Sequence, residues 1–251
     1  WWTRQDELGR TAHPLARLSA AELRFLVDTP APLPELEWAA NLVDLPLKRF
    51  AQAYSMVAYD QDRARRNDAI WSQRTYRLPD ILGHGGICVD QAYFAATAGK
   101  ARGIPTVIFH GAGTDSRHAW FGYLETPSSW RLDAGRDGEQ RFVAGHAADP
   151  QTWCELSAPD LIFLAERFHA GPEFRPARIH ADFAAGFLAT GDAPAALAAA
   201  RRALAIEAQY PRAWDIAAAA SENRGAAAVE VVLREAQHAL RRHPPLAARY
   251  G

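Results

Sequence analysis

Gly83-His84-Gly85-Gly86-Ile87-Cys88-Val89-Asp90-Gln91 is the stretch whose reading decides the fold. Its glycines let the backbone turn tightly and leave the sulfur uncovered. Beyond it, Ala92, Ala95, Ala96 and Gly99 give a small-residue face suited to close helix packing. A helix is expected from Cys88 to about Arg102, with Asp90 in its first turn and Gly103 before Ile104-Pro105 as its stop. Cys88 thus opens a helix, where unpartnered amides and the macrodipole attract negative charge. The bland alternative is a buried, inert cysteine.

Outward from there the pattern changes to strands. Thr106 to His110 is β-branched and apolar, and Gly111 to Ser116 reads as a turn region. His118 to Leu124 reads as a second strand, with His118, Trp120, Gly122 and Leu124 on one face and Ala119, Phe121 and Tyr123 on the other. Trp130 to Ala134 reads as a third, after Thr126-Pro127-Ser128-Ser129. If that loop has about four residues, Asp133 comes within a residue or two of lying opposite His118. Strands about 4.8 Å apart then let its carboxylate hold the far nitrogen of the imidazole. Cys88, His118 and Asp133 are in this reading nucleophile, base and orienter. Asp115 and Asp137 are rivals for the third place. The bland alternative makes His118 a strand-edge histidine and Asp133 a solvated turn residue.

Gly86-Ile87-Cys88, the alanine-rich helix ending in Gly103-Ile104-Pro105, His118-Ala119-Trp120, and Trp130 with Asp133 together resemble the core of the transglutaminase-like superfamily, over about residues 70 to 145. The resemblance implies a papain-like α+β fold, Cys88 as nucleophile, His118 as base, Asp133 as orienter, and peptide or protein amides as substrates. In that family the aspartate is often followed by Pro or Thr, whereas Ala134-Gly135-Arg136 follows Asp133 here. The upstream oxyanion-hole residue is open among Trp71, Gln73, Tyr76 and His84.

The expected architecture is α+β: a domain over 1–157, with a helical lobe over about 14–75 and a catalytic core with an antiparallel sheet over about 76–155, then an all-α segment over 158–251. In the lobe, Ser19-Ala20-Ala21-Glu22 is a capping box, Pro30, Pro32 and Pro34 form a break, and Leu47, Phe50, Tyr54 and Val57 recur at helical spacing as a core stripe. Tyr59 to Trp71 is a charged amphipathic stretch. In the tail, Ala181 to Leu204 and the helix pair opening at Tyr210-Pro211-Arg212-Ala213-Trp214 resemble tetratricopeptide-repeat hairpins, a degenerate match that implies a protein partner; generic helix packing is the alternative.

The 251 residues are 49% hydrophobic, enough for one ordinary domain and a smaller one. A formal charge of −1 gives no electrostatic reason to expect nucleic acid or an anionic membrane, and no apolar run approaches the ~20 residues of a spanning helix. Lys48 and Lys100 are the only lysines, a bias read as one of codon usage. Residue 1 is Trp and the single methionine is Met56, so the chain is expected to lack its true start.

Cys88 and Cys154 are the only cysteines, so no disulfide framework is indicated, and Cys154 is expected to be buried and inert. His84, Cys88 and His110 hint at zinc, but the paired Cys or His motifs of a structural site are missing. Gly83-x-Gly85-Gly86 lacks the Gly-Lys-Ser/Thr of a phosphate loop. No metal and no cofactor are expected. The functional expectation is cysteine-dependent acyl transfer through a thioester, by default hydrolysis. A catalytically silent scaffold that binds a partner is the alternative.

Overall fold

A central helix packs against a five-stranded antiparallel sheet in the computed structural model, which describes residues 1–73, 75–112, 117–136, 145–169 and 174–251. The chain enters through α1 (Trp2–Glu7), α2 (Ala20–Val27), α3 (Leu33–Leu42), a 3₁₀ run over Leu47–Met56, α4 (Gln61–Arg65) and α5 (Leu78–His84). The central helix α6 (Cys88–Ala101) follows, then strands β1 (Thr106–Ala112), β2 (Arg117–Thr126), β3 (Ser129–Ala134), β4 (His146–Ala148) and β5 (Glu155–Ser157), and α7 (Ala158–Phe168). The sheet order is β3-β2-β1-β4-β5. The fold is α+β, as expected.

Local chemistry explains most of these boundaries. Ser19 and Glu22 close the expected capping box on α2. Helix α6 starts at Cys88 and ends at Ala101, where Gly103 (φ 76°) turns the chain into β1. The stripe of Leu47, Phe50 and Tyr54 lies on the 3₁₀ run, and only Gln61–Arg65 of the stretch from Tyr59 to Trp71 is α-helical. Asp60 caps that short helix by accepting from Arg63 N at 2.9 Å.

The alternation of β2 divides the core as its sequence requires. Ala119, Phe121 and Tyr123 face the cluster containing Phe94, Ala95 and Phe50, with Phe50 edge-on to both Phe121 (6.2 Å) and Tyr123 (5.6 Å). Trp120 joins Phe109, Phe25, Leu156 and Leu161 in a second cluster, so α7 belongs to the sheet. The first compact unit therefore extends to Phe168, beyond the boundary expected at 157.

The β2–β3 connection differs from the expectation. Thr126 pairs with Ser129, so the loop has two residues, Pro127-Ser128, in place of about four. A register shift follows between Phe121↔Ala134 and Tyr123↔Arg131, which places Leu132 and Asp133 against the single residue Gly122. Asp133 is thus displaced from His118 by three to four residues, on the order of 10 Å along the ladder.

The second unit, His169–Gly251, holds α8 (Phe174–Ala189), α9 (Ala193–Ile206), α10 (Pro211–Ser221), α11 (Ala226–Ala239) and α12 (Pro244–Ala247). Gly191 (φ 82°) and Asp192, which accepts from Ala195 N at 3.0 Å, make the turn between α8 and α9. Pro211 opens α10, where its missing N–H costs nothing. No helix among the described residues is long and apolar enough to cross a membrane.

Candidate active site

The turn that carries Cys88 is fixed from several directions. Gly86 N donates to Ala58 O and Gly86 O accepts from Asp60 N, both at 2.9 Å, so this residue forms a parallel bridge with Tyr59. A side chain at Gly86 would place its Cβ 2.4 Å from the Cβ of Asp90, which only glycine avoids. Asp90 Oδ2 accepts from Ile87 N at 2.8 Å and from Arg63 at 2.6 Å, and Asp90 Oδ1 accepts from Tyr76 Oη at 2.8 Å. Asp90 and Arg63 are both buried.

Such a pair repays its desolvation only when further hydrogen bonds fill the remaining sites. Here they do: Arg63 also donates to Asp68 O at 3.2 Å and Ala69 O at 3.3 Å. Its guanidinium carbon lies 5.4 Å from the Trp71 ring centroid, a cation–π contact. Burial, with the hydrogen bond to Asp90, pushes the Tyr76 phenol far above its usual range, so that it keeps its proton and donates it to Asp90.

Cys88 itself is a half-buried free thiol at the first position of α6, where helix geometry leaves its N–H without an intrahelical acceptor. Cys154, by contrast, is exposed, against expectation. It lies in the β4–β5 connection beside Trp153, which has φ 58° and is 77% exposed, so that loop projects outward and forms no core.

His118, near the start of β2, stacks on Trp120 with centroids 5.9 Å apart and planes at 18°. Its Nε2 lies 2.8 Å from Gly135 O. A carbonyl only accepts, so Nε2 carries the proton and the neutral ring keeps its lone pair on Nδ1. The nitrogen expected to meet Asp133 therefore meets a backbone carbonyl. Asp133 is exposed and takes Arg131 Nε at 3.2 Å. The place of the turn is the physical reason: Asp133, five residues after Ser128, falls opposite Gly122, five before Pro127, whereas His118 lies nine before it. Asp115 and Asp137 lie outside the described residues.

One side chain touches every part of this arrangement. Tyr54 Oη lies 2.8 Å from Ala119 O, next to His118, and 3.4 Å from Cys88 O. Its ring is 6.4 Å from the His118 ring. Gly135 (φ 91°) packs flat on it: a Cβ there would come within 2.5 Å of Tyr54 ring carbons. No hydrogen bond joins Cys88 Sγ to His118 among the described contacts; Tyr54 is the link between them. By its spacing Tyr54 belongs to the core stripe, and nothing in that spacing marks the hydroxyl.

Three of the four oxyanion-hole candidates have polar hydrogens engaged elsewhere. Trp71 Nε1 donates to Thr75 O (2.8 Å), Tyr76 Oη to Asp90, and His84 Nδ1 pairs with Asp80 O (2.8 Å). Gln73 makes a 3.5 Å contact with Ser72 Oγ. His84, Cys88 and His110 form no metal-binding group, and none of three or more such ligands occurs among the described residues. Compared with family models, with curated proteins and with solved structures, the chain matches none.

Proposed function

We propose that this chain is a cysteine-dependent acyl-transfer enzyme with a transglutaminase-like, papain-like core, acting on amide or peptide substrates. The observation that carries this reading is the half-buried Cys88 thiol opening α6 on a braced turn, with Tyr54 connecting it to the strand of His118. His118 Nδ1 takes the thiol proton as Cys88 Sγ adds to the carbonyl, and the Cys88 N–H faces the developing oxyanion. The C–N bond then breaks as the imidazolium gives its proton to the leaving amine, and a thioester remains. Water adds next, its proton passing to Nδ1; the C–S bond breaks, releasing a carboxylic acid and the thiol. An amine in the place of water gives transamidation.

The resemblance implies Asp133 as the orienter, whereas the contact that supports orientation is the one to Gly135 O. The exposure of Asp133, with the missing Cys88–His118 hydrogen bond, favours a second reading: a silent core whose helical unit binds a protein partner. Support for that binding role is the tetratricopeptide likeness together with Ile179, Phe183 and Phe187, exposed four residues apart on α8.

Alkylation by iodoacetamide, resolved by mass spectrometry into Cys88 and Cys154, separates the two readings. The enzyme requires Cys88 to outpace Cys154 at pH 6 and to lose that advantage in His118→Ala. It also requires Cys88→Ala to abolish turnover of peptide amides while leaving the melting temperature in place. Equal rates at the two thiols would establish the scaffold.

A further inference from the structure

Beside Cys88 and His118 stands a side chain whose contacts neither residue explains. Tyr54 lies on the 3₁₀ run, 34 residues before Cys88 and 65 before Ala119, yet its hydroxyl meets the carbonyls of both. Its ring also supports Gly135, whose carbonyl holds His118 Nε2. A hydroxyl has one proton to donate, and here two carbonyls compete for it at 2.8 and 3.4 Å. Burial of this group is close to complete, at 9% exposure, so an unmatched hydroxyl would be costly and its aim is set by the fold. Packing alone does not require the oxygen, because Phe50, four residues earlier on the same run, fills the adjoining core with a plain ring.

We infer that Tyr54 is a positioning residue that sets the separation and orientation of Cys88 and His118. This inference rests on the acyl-transfer reading and deepens it. The hydroxyl ties the first residue of α6 to the residue after the base, and the ring fixes the carbonyl that selects the Nε2–H tautomer. A base held through a neutral carbonyl lacks the electrostatic hold of a carboxylate, so its alignment depends more heavily on the packing around it.

The test is the pH profile of Cys88 alkylation by iodoacetamide in the full chain, read against Cys154 as internal reference. Tyr54→Phe keeps the ring and removes the hydroxyl. The expected result is a loss of about tenfold in the Cys88 rate at pH 6, with less than about twofold change at pH 9, where the thiol ionises unaided. Phe50→Leu, a structural change on the same run, should lower the melting temperature and leave the profile in place. Wild-type behaviour of Tyr54→Phe at pH 6, alongside loss in His118→Ala, would overturn the role of Tyr54 and leave the Cys–His reading standing. Equal reactivity of Cys88 and Cys154 in the wild type would remove that reading and the inference with it. If Tyr54→Phe does not fold, 4-aminophenylalanine at position 54 restores a donor and should preserve the wild-type profile; its loss in that folded variant overturns the inference.

Discussion

The turn before α6 and the strand pair β2–β3 each contribute an aspartate beside the candidate site, and the two have opposite fates. Asp90 is buried and bound by Arg63, Tyr76 and Ile87 N. Asp133 is exposed and meets Arg131. In the sequence the ranking runs the other way, since Asp90 looks like an ordinary first-turn acid and Asp133 like the third member of a triad. The difference shows that a carboxylate gains structural weight from the number of donors that the fold assembles around it. Position in a motif does not supply them. The turn that carries Cys88 is held by charge-assisted bonds, while the His118 ring is held by a single carbonyl.

The largest expected effect breaks the turn. Asp90→Ala leaves the Arg63 guanidinium buried without its carboxylate, and unfolding in urea should show a loss of about 3–5 kcal/mol. A loss below about 1 kcal/mol would mean that the turn is no better braced than the strand.

Lys100, near the other end of α6, is the intermediate case. It is a buried cation that donates to Asp28 O, with the Asp28 carboxylate only at 3.8 Å. Burial pulls its pKa down to about 8, against the opposing pull of Asp28. The folded chain thus releases this proton near pH 8, whereas the unfolded chain holds it to about 10.4. Between those values the unfolded state binds more protons, so stability rises with pH. From pH 8 to 9.5 the wild type should gain about 1–2 kcal/mol relative to Lys100→Met, read from paired urea titrations. A flat difference over that window would mean that Asp28 neutralises the burial penalty as fully as Asp90 does for Arg63.

The smallest effect belongs to the strand. Asp133→Asn should change stability by no more than about 0.5 kcal/mol, since an exposed ion pair contributes little. It should also leave the low-pH alkylation of Cys88 within about twofold of wild type, because Gly135 O remains on Nε2. A tenfold drop would show that Asp133 orients His118 in solution and would close the gap between the two regions.

Residue patterns made much of this molecule legible. The glycine turn, the alanine face and the Gly103 stop define α6 to within a residue of its observed limits, because helix ends are written in local chemistry. The β-branched run from Thr106, the alternation from His118 and the turn before Trp130 gave β1, β2 and β3, while β4 and β5, three residues each, are too short to carry a period. The turn at Gly191-Asp192 and the helix start at Pro211 were equally readable. The exposure of Cys154 is not legible in the sequence, since a lone cysteine says nothing of how far its loop projects.

By itself, then, the sequence determined the α+β class, the order of the elements, Cys88 at a helix start, and His118 on a strand beside Trp120. Tertiary structure alone decided which groups surround them. Register follows from where the chain turns, and the turn at Pro127-Ser128 leaves Asp133 against Gly122 and Gly135 O on the His118 ring nitrogen. The Arg63–Asp90 pair spans 27 residues and the Tyr54 contacts span 34 and 65, distances over which no local period carries information. Such pairings arise when buried polar groups must find partners inside a packed core, and only the complete fold brings those partners within reach.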